Sequence, residues 1–316
     1  APRVPGRRSG LQGDLGPRTS YRAALDWLGM PGTRLIGALL ATGLLCLAAA
    51  PAARGVSAGT AIANLNAQRR ANGIPGGVVN DSALSAGCAA HNGYMHANGD
   101  TLDPDEVPGR TGYTMAGDDA GNRAALALGA LPWATVNDNP WETAPIHLAQ
   151  LLDPSLAVSG YNESFRFSCA VALGDPRRPE PVAAKLYAYP GPHAHIYTAE
   201  QAVEGPFTPG ELVGLKHGMT TGPYIFVFVD GVAPLGPVKP DILQATLKPR
   251  TRGTAQKASK LKLRVVDSTN AQLDPYLPPG GVVIPVKPLK RGKYRASVTV
   301  LVAGRQLTKR WKFNAG

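Results

Sequence analysis

Hydrophobic residues change their spacing near residue 176, and this change divides the chain into two kinds of structure. Before it, apolar residues recur at helical intervals: Leu84, Cys88, His91 and Met95 share one helix face. After it, short runs such as residues 294–302 alternate apolar and polar side chains between Pro/Gly-rich turns, which is typical of strands. The sequence therefore predicts an α+β fold with an all-β, immunoglobulin-like sandwich at its end.

Local signals predict the elements of the front part. One helix is expected over residues 58–71, and a second begins after an Asp81 or Ser82 cap and ends at Asn98-Gly99. The Gly-, Asp- and Pro-rich residues 100–122 predict a loop. A short helix is expected over 123–131, another after Pro145, and strands over 157–160 and 165–173. In the tail, the predicted strands are 185–189, 224–229, 260–266, 282–286, 294–302 and 306–313.

Charged residues are also distributed unevenly along the chain. Residues 55–247 contain 10 Lys/Arg and 18 Asp/Glu, whereas residues 248–316 contain 16 Lys/Arg and 2 Asp/Glu. This contrast predicts a domain boundary between residues 247 and 248. We therefore expect a front domain over 55–175, a Pro/Gly-rich β extension or linker over 176–247, and a basic β-sandwich over 248–316.

Residues 34–53 have the pattern of a secretory signal peptide. Arg34 precedes an apolar run that ends near Leu47, and small residues follow as far as Ala53. A membrane anchor is the alternative, but the apolar run is short. We expect residues 1–54 to be leader sequence, with Met30 as the natural start and cleavage near Ala53. The predicted location is extracellular, with association to the cell surface.

Export determines how the cysteines are interpreted. Cleavage would remove Cys46 and leave Cys88 and Cys169, and an isolated pair in an oxidising compartment predicts a disulfide. A catalytic thiol is the alternative. The basic tail favours an anionic cell-wall or surface polymer as a partner, and a solubilising face is equally compatible with the charge. Lys287, Lys290, Arg291, Lys293 and Arg295 cluster around one expected turn. An exported protein is not expected to bind nucleic acid.

Three segments of the front part resemble the CAP superfamily of cysteine-rich secretory, venom-antigen and pathogenesis-related proteins, in a bacterial branch. They are Asn64-Leu65-Asn66-Ala-Gln-Arg69…Gly73, Gly87-Cys88-Ala-Ala-His91-Asn92…Met95 and Trp141-Glu-Thr-Ala-Pro-Ile-His147…Leu151-Leu152…Pro154. The resemblance covers about residues 58–174. It implies an αβα sandwich, with helices on both faces of a small sheet.

The resemblance also implies a cleft with two histidines and two acids, which in this family sometimes holds a divalent metal. His147 corresponds to the second histidine, Asp103 stands where the first is expected, and Asp105 or Glu106 supplies an acid. His147 with Asp103 would then be the metal ligands, and zinc suits such a set. Because most of the tetrad is substituted, a structural role for His147 is favoured. His91 is expected to be a core histidine.

These observations predict a secreted, non-enzymatic protein that binds a small apolar molecule, a peptide or a wall component. The alternative is a metal-assisted hydrolase that uses His147 with Asp103, Asp105 or Glu106. A third interpretation makes the front domain a spacer and the basic tail an anchor. His193 and His195 have a spacing compatible with a metal if their segment is a strand, although a solvated loop is favoured.

Overall fold

A computed structural model describes residues 55–129, 132–174, 176–179, 181, 183–234, 236–250 and 260–316. The predicted signal peptide, Met30, Cys46 and the cleavage zone lie outside the described residues. Within the described part of the chain, no helix is both long enough and apolar enough to span a membrane.

The front part combines helices with short strands. Its helices are α1 (Ala58–Ala71), α2 (Ser82–Ala97), α3 (Met115–Arg123) and α4 (Pro145–Leu151). Its strands are β1 (Val79–Asn80), β2 (Ala124–Leu128), β3 (Val158–Ser159), β4 (Tyr161–Ser164) and β5 (Phe167–Val171). β2, β5 and β4 form an antiparallel sheet with β5 in the centre, and β1 pairs with β3 in parallel.

The two faces of the β2-β5-β4 sheet are covered by different helices. Ala125 and Ala170 belong to a core with α1 residues such as Leu65. Cys169, on the other face because side chains alternate along a strand, packs with Cys88 of α2. The predicted bond between these two cysteines is confirmed, with their Cα atoms 5.5 Å apart. The bond therefore links α2 to the central strand of the sheet.

The first two helices are confirmed at their predicted bounds. Ser57 caps α1, and the Asp81 carboxylate caps α2 by accepting hydrogen bonds from Ala83 N at 2.7 Å and Leu84 N at 3.0 Å.

Two local predictions in the front part are wrong. Residues 115–122, expected as loop, form α3 together with Arg123, because the Thr114 hydroxyl caps this helix and glycine allows close packing on α2. A Cβ at Gly87 of α2 would lie 2.7 Å from the Ala116 carbonyl. Residues 124–128, expected within a short helix, form β2, because pairing with β5 overrides the helical preference of the sequence AALAL.

The tail is a β-sandwich of two four-stranded sheets. Its strands are β6 (Lys185–Tyr189), β7 (His195–Ile196), β8 (Ile225–Asp230), β9 (Asp241–Pro249), β10 (Leu263–Asp267), β11 (Gly280–Pro285), β12 (Gly292–Val302) and β13 (Arg305–Ala315). The sheet orders are β10-β11-β8-β6 and β7-β13-β12-β9. Side chains of both sheets share one core, which includes Val227, Val283, Val298 and Phe313. The predicted sandwich is confirmed at this level.

The sandwich begins at β6, well before residue 248, where the change in charge predicted its start. Residues 176–247, expected as an extension or linker, supply β6, β7, β8 and most of β9. The predicted boundary at residues 247/248 falls inside β9, because Leu247 and Lys248 both pair with β12. Charge therefore changes within one sandwich rather than between two domains.

A second core joins the front part to the sandwich. Leu148 and Leu152 pack with Phe226 and Ile284, which lie on the side of β8 and β11 away from the first core. Helix α4 thus covers the outer face of a sandwich sheet. This places the segment that begins at Trp141 at the junction between the helices and the strands.

Candidate functional site

His147 is held by a glutamate that lies 57 residues further along the chain. The Glu204 carboxylate accepts from His147 Nδ1 at 2.5 Å, and from the backbone N–H groups of Ile146 at 2.9 Å and His147 at 3.1 Å. The Glu204 side chain is 3% exposed and that of His147 is 23% exposed. Ala144 at the helix N-cap position makes no side-chain cap, and Pro145 has no N–H. Glu204 therefore supplies the missing N-terminal cap of α4.

The acids predicted to accompany His147 lie at a different histidine. Glu106 Oε1 is 3.0 Å from His91 Nδ1, both side chains are fully buried, and the Asp103 carbonyl is 3.0 Å from His91 Nε2. The Asp103 carboxylate accepts from Asp105 N. Among the described residues, no hydrogen bond or ion pair joins His147 to these three acids. His91 and His147 thus each pair with a separate glutamate instead of sharing one tetrad.

The His91–Glu106 pair is a closed structural unit. The Asp103 carbonyl only accepts, so His91 Nε2 is the donor of that hydrogen bond. Thr114 N donates to the second oxygen of Glu106. Glycines of α3 lie against the pair: a Cβ at Gly121 would come within 2.4 Å of the His91 ring, and one at Gly117 within 2.2 Å of Glu106. His91 is a buried core histidine, as predicted.

The described residues contain no group of three or more His, Cys, Asp or Glu side chains that could hold a metal ion. His147 has Glu204 as its carboxylate partner, and that carboxylate already accepts two backbone N–H groups. His193 has a φ of 68° in a turn and His195 begins β7, so the two do not share one strand. The residues around His147 do not fit the zinc site proposed from the sequence.

An open cavity of about 420 Å³ lies beside this junction, between α1, the 136–142 loop, β6 and β7. Its lining includes Gln68, Asn72, Glu142, Tyr189, His195 and Tyr197. Glu142 accepts from Gln68 Nε2 at 2.8 Å and from the Tyr189 hydroxyl. The volume is within the range of small-molecule sites, about 300–1,000 Å³. Val136, Ala194 and Ile196 also line the cavity, so its wall is partly polar and partly apolar.

Glutamates are concentrated next to this cavity. Burial raises the pKa of Glu142, and burial together with the nearby Glu142 and Glu204 raises the pKa of Glu200 to about 8. One carboxyl oxygen of Glu200 is buried and has no hydrogen-bond partner. Burial and the Glu142 carboxylate also raise the pKa of Tyr189 well above its usual value. Burial thus makes these carboxyl groups weaker acids than exposed ones.

We expect Glu200→Gln to reduce the pH dependence of stability. The pKa of Glu200 is about 8 in the fold and 4.5 in the reference state, so the folded chain holds an extra proton between these values. Stability from this group is complete below about pH 4.5 and declines as pH rises to about 8. As pH rises across this window, the melting temperature of the wild type should fall relative to that of the variant. Circular dichroism melts measure it, with Asp105→Asn as the exposed control; parallel curves would contradict the assignment.

Sequence reasoning missed the residues that shape this region. Glu142 lies inside the 141–154 segment but was not recognised, because no local pattern distinguishes a buried glutamate from a solvated one. Glu200 and Glu204 lie in a segment that was assigned to an extension. Tyr189 was assigned only to a strand. The spacing of Glu200 and Glu204 carries no signal without the fold that brings them to α4.

No family model matches this chain, and no curated protein matches it. Among solved structures, PcoC, a copper resistance protein from Escherichia coli, aligns in two crystal structures at 12% and 14% identity. The alignments cover 41% of this chain and 95% and 93% of PcoC, both with a TM-score of 0.25. CopC from Methylosinus trichosporium OB3b aligns at 12% identity over 42% of this chain and 93% of CopC, with a TM-score of 0.24. Neither protein informs the activity of this chain.

Proposed function

We propose that this chain is a secreted protein with a CAP-like front part, which binds a ligand outside the cell without catalysing a reaction. One observation carries the proposal: an open cavity of about 420 Å³ lies beside α1, β6 and β7, and none of the residues of the predicted histidine–acid site lines it. A general base needs a ring nitrogen free to reach a substrate proton. His91 has neither nitrogen free. Glu204 occupies Nδ1 of His147 and leaves Nε2, so His147 is the residue at which the hydrolase alternative is tested.

Two observations support the CAP-like part of the proposal. Helices α1 and α2 pack against opposite faces of the β2-β5-β4 sheet, which is the layering that the resemblance implies. The residues that carry the resemblance also contribute to packing. Arg69 is fully buried and donates to the carbonyls of Pro75 and Leu151, each at 2.8 Å, so it ties α1 to the end of α4. The disulfide supports export, because such bonds persist in oxidising compartments.

The ligand proposed for the cavity is a polar wall fragment. The exposed side chains of Asn137 and His195 bring polar groups to the lining, and Tyr197, which is 61% exposed, offers a ring for stacking. A wholly apolar ligand, also predicted from the sequence, is the alternative, since Val136 and Ile196 also line the cavity. The basic sandwich is proposed to hold the protein at an anionic surface.

Calorimetry with soluble peptidoglycan fragments, and with palmitate as the apolar probe, tests this proposal. We expect saturable binding of the fragments, weakened about tenfold by Tyr197→Ala, because complete burial of a large side chain contributes roughly 1.5–3 kcal/mol. Phe165→Ala is the matched control, since Phe165 is exposed and does not line the cavity. Hydrolysis of a substrate panel or stoichiometric zinc, lost in His147→Ala, would instead establish the hydrolase alternative.

A further inference from the structure

One outer face of the sandwich carries a patch of cations that comes from three strands. Six exposed side chains form it, and we call them the cationic face: Lys248, Arg250, Lys293, Arg295, Arg310 and Lys312. The residues between them along β12 and β13, such as Tyr294, Ala296 and Trp311, are buried in the sandwich. Because side chains alternate along a strand, the cations all point away from the core.

Strand register places the cations in rows across the sheet. Lys248, Arg295 and Lys312 are direct neighbours on β9, β12 and β13 and make the central row. Arg250 and Lys293 form the row on one side, joined by an Arg250 N to Lys293 O hydrogen bond of 2.7 Å. Adjacent strands lie about 4.8 Å apart, and alternate residues along a strand roughly 7 Å apart. The cationic face is therefore a regular array.

The array has no acidic partner. Within the described part of the chain, none of the ion pairs involves these six residues. Like charges directly opposite on neighbouring strands destabilise a sheet. A surface that serves only solubility mixes both signs, which would avoid this cost. The unpaired rows indicate that an external anion compensates the charge.

The rest of the same face identifies the class of anion. Hydroxyl and amide side chains continue it away from the cations, namely Thr246, Ser297, Thr299, Thr308, Gln244 and Gln306. Next to Lys293 and Lys312, a recess of about 200 Å³ is lined by Asn314 and His193. No large hydrophobic side chain is exposed among the six cations, as insertion into a lipid surface or stacking on bases would need. Hydroxyl groups beside cations match a sugar polymer that carries acid groups.

We propose that the cationic face binds a linear polysaccharide with carboxylate groups along its length. Each arginine guanidinium can donate two parallel hydrogen bonds to one carboxylate, and the neighbouring hydroxyl and amide groups bind sugar hydroxyls. This inference gives a site and a ligand class to the surface-binding part of the proposed function and rests on that part. It is independent of the ligand in the cavity.

Polygalacturonate, with one carboxylate on every sugar, is the probe for the full mature chain. Lys248→Gln/Arg295→Gln/Lys312→Gln should weaken its binding at least about tenfold at about 0.1 M salt, and make binding less salt-dependent. Lys287→Gln/Lys290→Gln/Arg291→Gln is the matched control. It removes the same charge from exposed residues of the segment before β12, and should cost less than about threefold.

The arms of this experiment separate the possible failures. Equal losses in the two triple variants would overturn the inference, because net charge alone would then explain binding. Tighter wild-type binding to polyphosphate or to phosphatidylglycerol vesicles than to polygalacturonate would overturn it in favour of another anion. Wild-type binding to none of these polyanions would remove the surface part of the proposed function as well, while binding in the cavity would stand.

Discussion

Removing the Cys88–Cys169 bond should lower the free energy of unfolding by about 4–5 kcal/mol. The two cysteines are 81 residues apart, so the bond closes a long loop in the unfolded chain and restricts its conformational entropy. For a chain of this size, the loss corresponds to a fall in melting temperature of roughly 10–15 °C. Thermal and urea unfolding of Cys88→Ala/Cys169→Ala measure it.

Packing loss must be separated from loss of the cross-link. Both cysteines are fully buried beside Ala120 and Val171, so alanine also removes two sulfur atoms from this core. Wild-type protein that is refolded in reductant keeps the sulfur atoms but not the bond. A similar loss of stability in both samples would assign the effect to the cross-link. Two free thiols in the non-reduced, denatured wild type would contradict the bond itself.

Elements with strong local signals were predictable from the sequence. Helices α1 and α2 have side-chain caps at Ser57 and Asp81 and a consistent helical stripe, so their bounds are determined within the segments themselves. Strand β12 has an alternating pattern over its whole length, and its buried residues follow that alternation. In these segments local preference and tertiary packing agree, which is why periodicity alone was sufficient.

Elements that depend on distant partners were not predictable in the same way. Helix α3 contains Gly117 and Gly121, which disfavour a helix locally but are required for close approach to His91 and Glu106. Strand β9 was missed because its residues alternate weakly. It forms because β12 offers a free edge along its whole length. Both cases are decided by tertiary contacts that the sequence does not display.

At the candidate site, too, the local feature was predictable from the sequence and the distant partner was not. The position of His147 at the start of a helix was predictable from Pro145 and the leucine spacing, and the structure places it there. Its partner was not, because Glu204 reaches it from a segment without regular structure. The family resemblance predicted Asp103 and Glu106 as partners of His147, but the Asp103 carbonyl and the Glu106 carboxylate contact His91 instead. The motif thus predicted where His147 lies but not which side chain it contacts.

Glu204→Ala should lower the free energy of unfolding by about 3 kcal/mol, because one carboxylate closes three hydrogen bonds at the junction of helices and sandwich. Its loss leaves the N–H groups of Ile146 and His147 without an acceptor, and Ile146 is buried. Glu204→Gln retains one acceptor oxygen and should cost less, about 1–2 kcal/mol. Urea unfolding of the set gives these differences.

His147→Ala separates the capping role from the histidine. If Glu204 acts mainly as the cap of α4, this variant removes only one of the three bonds and should cost about 1 kcal/mol. Val203→Ala, a change at the exposed neighbour of Glu204, should stay within about 0.5 kcal/mol. A loss in His147→Ala as large as that in Glu204→Ala would show that the His147–Glu204 pair, not the helix cap, stabilises the junction. The small loss that we expect would mean that the fold fixes the position of His147, whereas His147 itself contributes little to the stability of the fold.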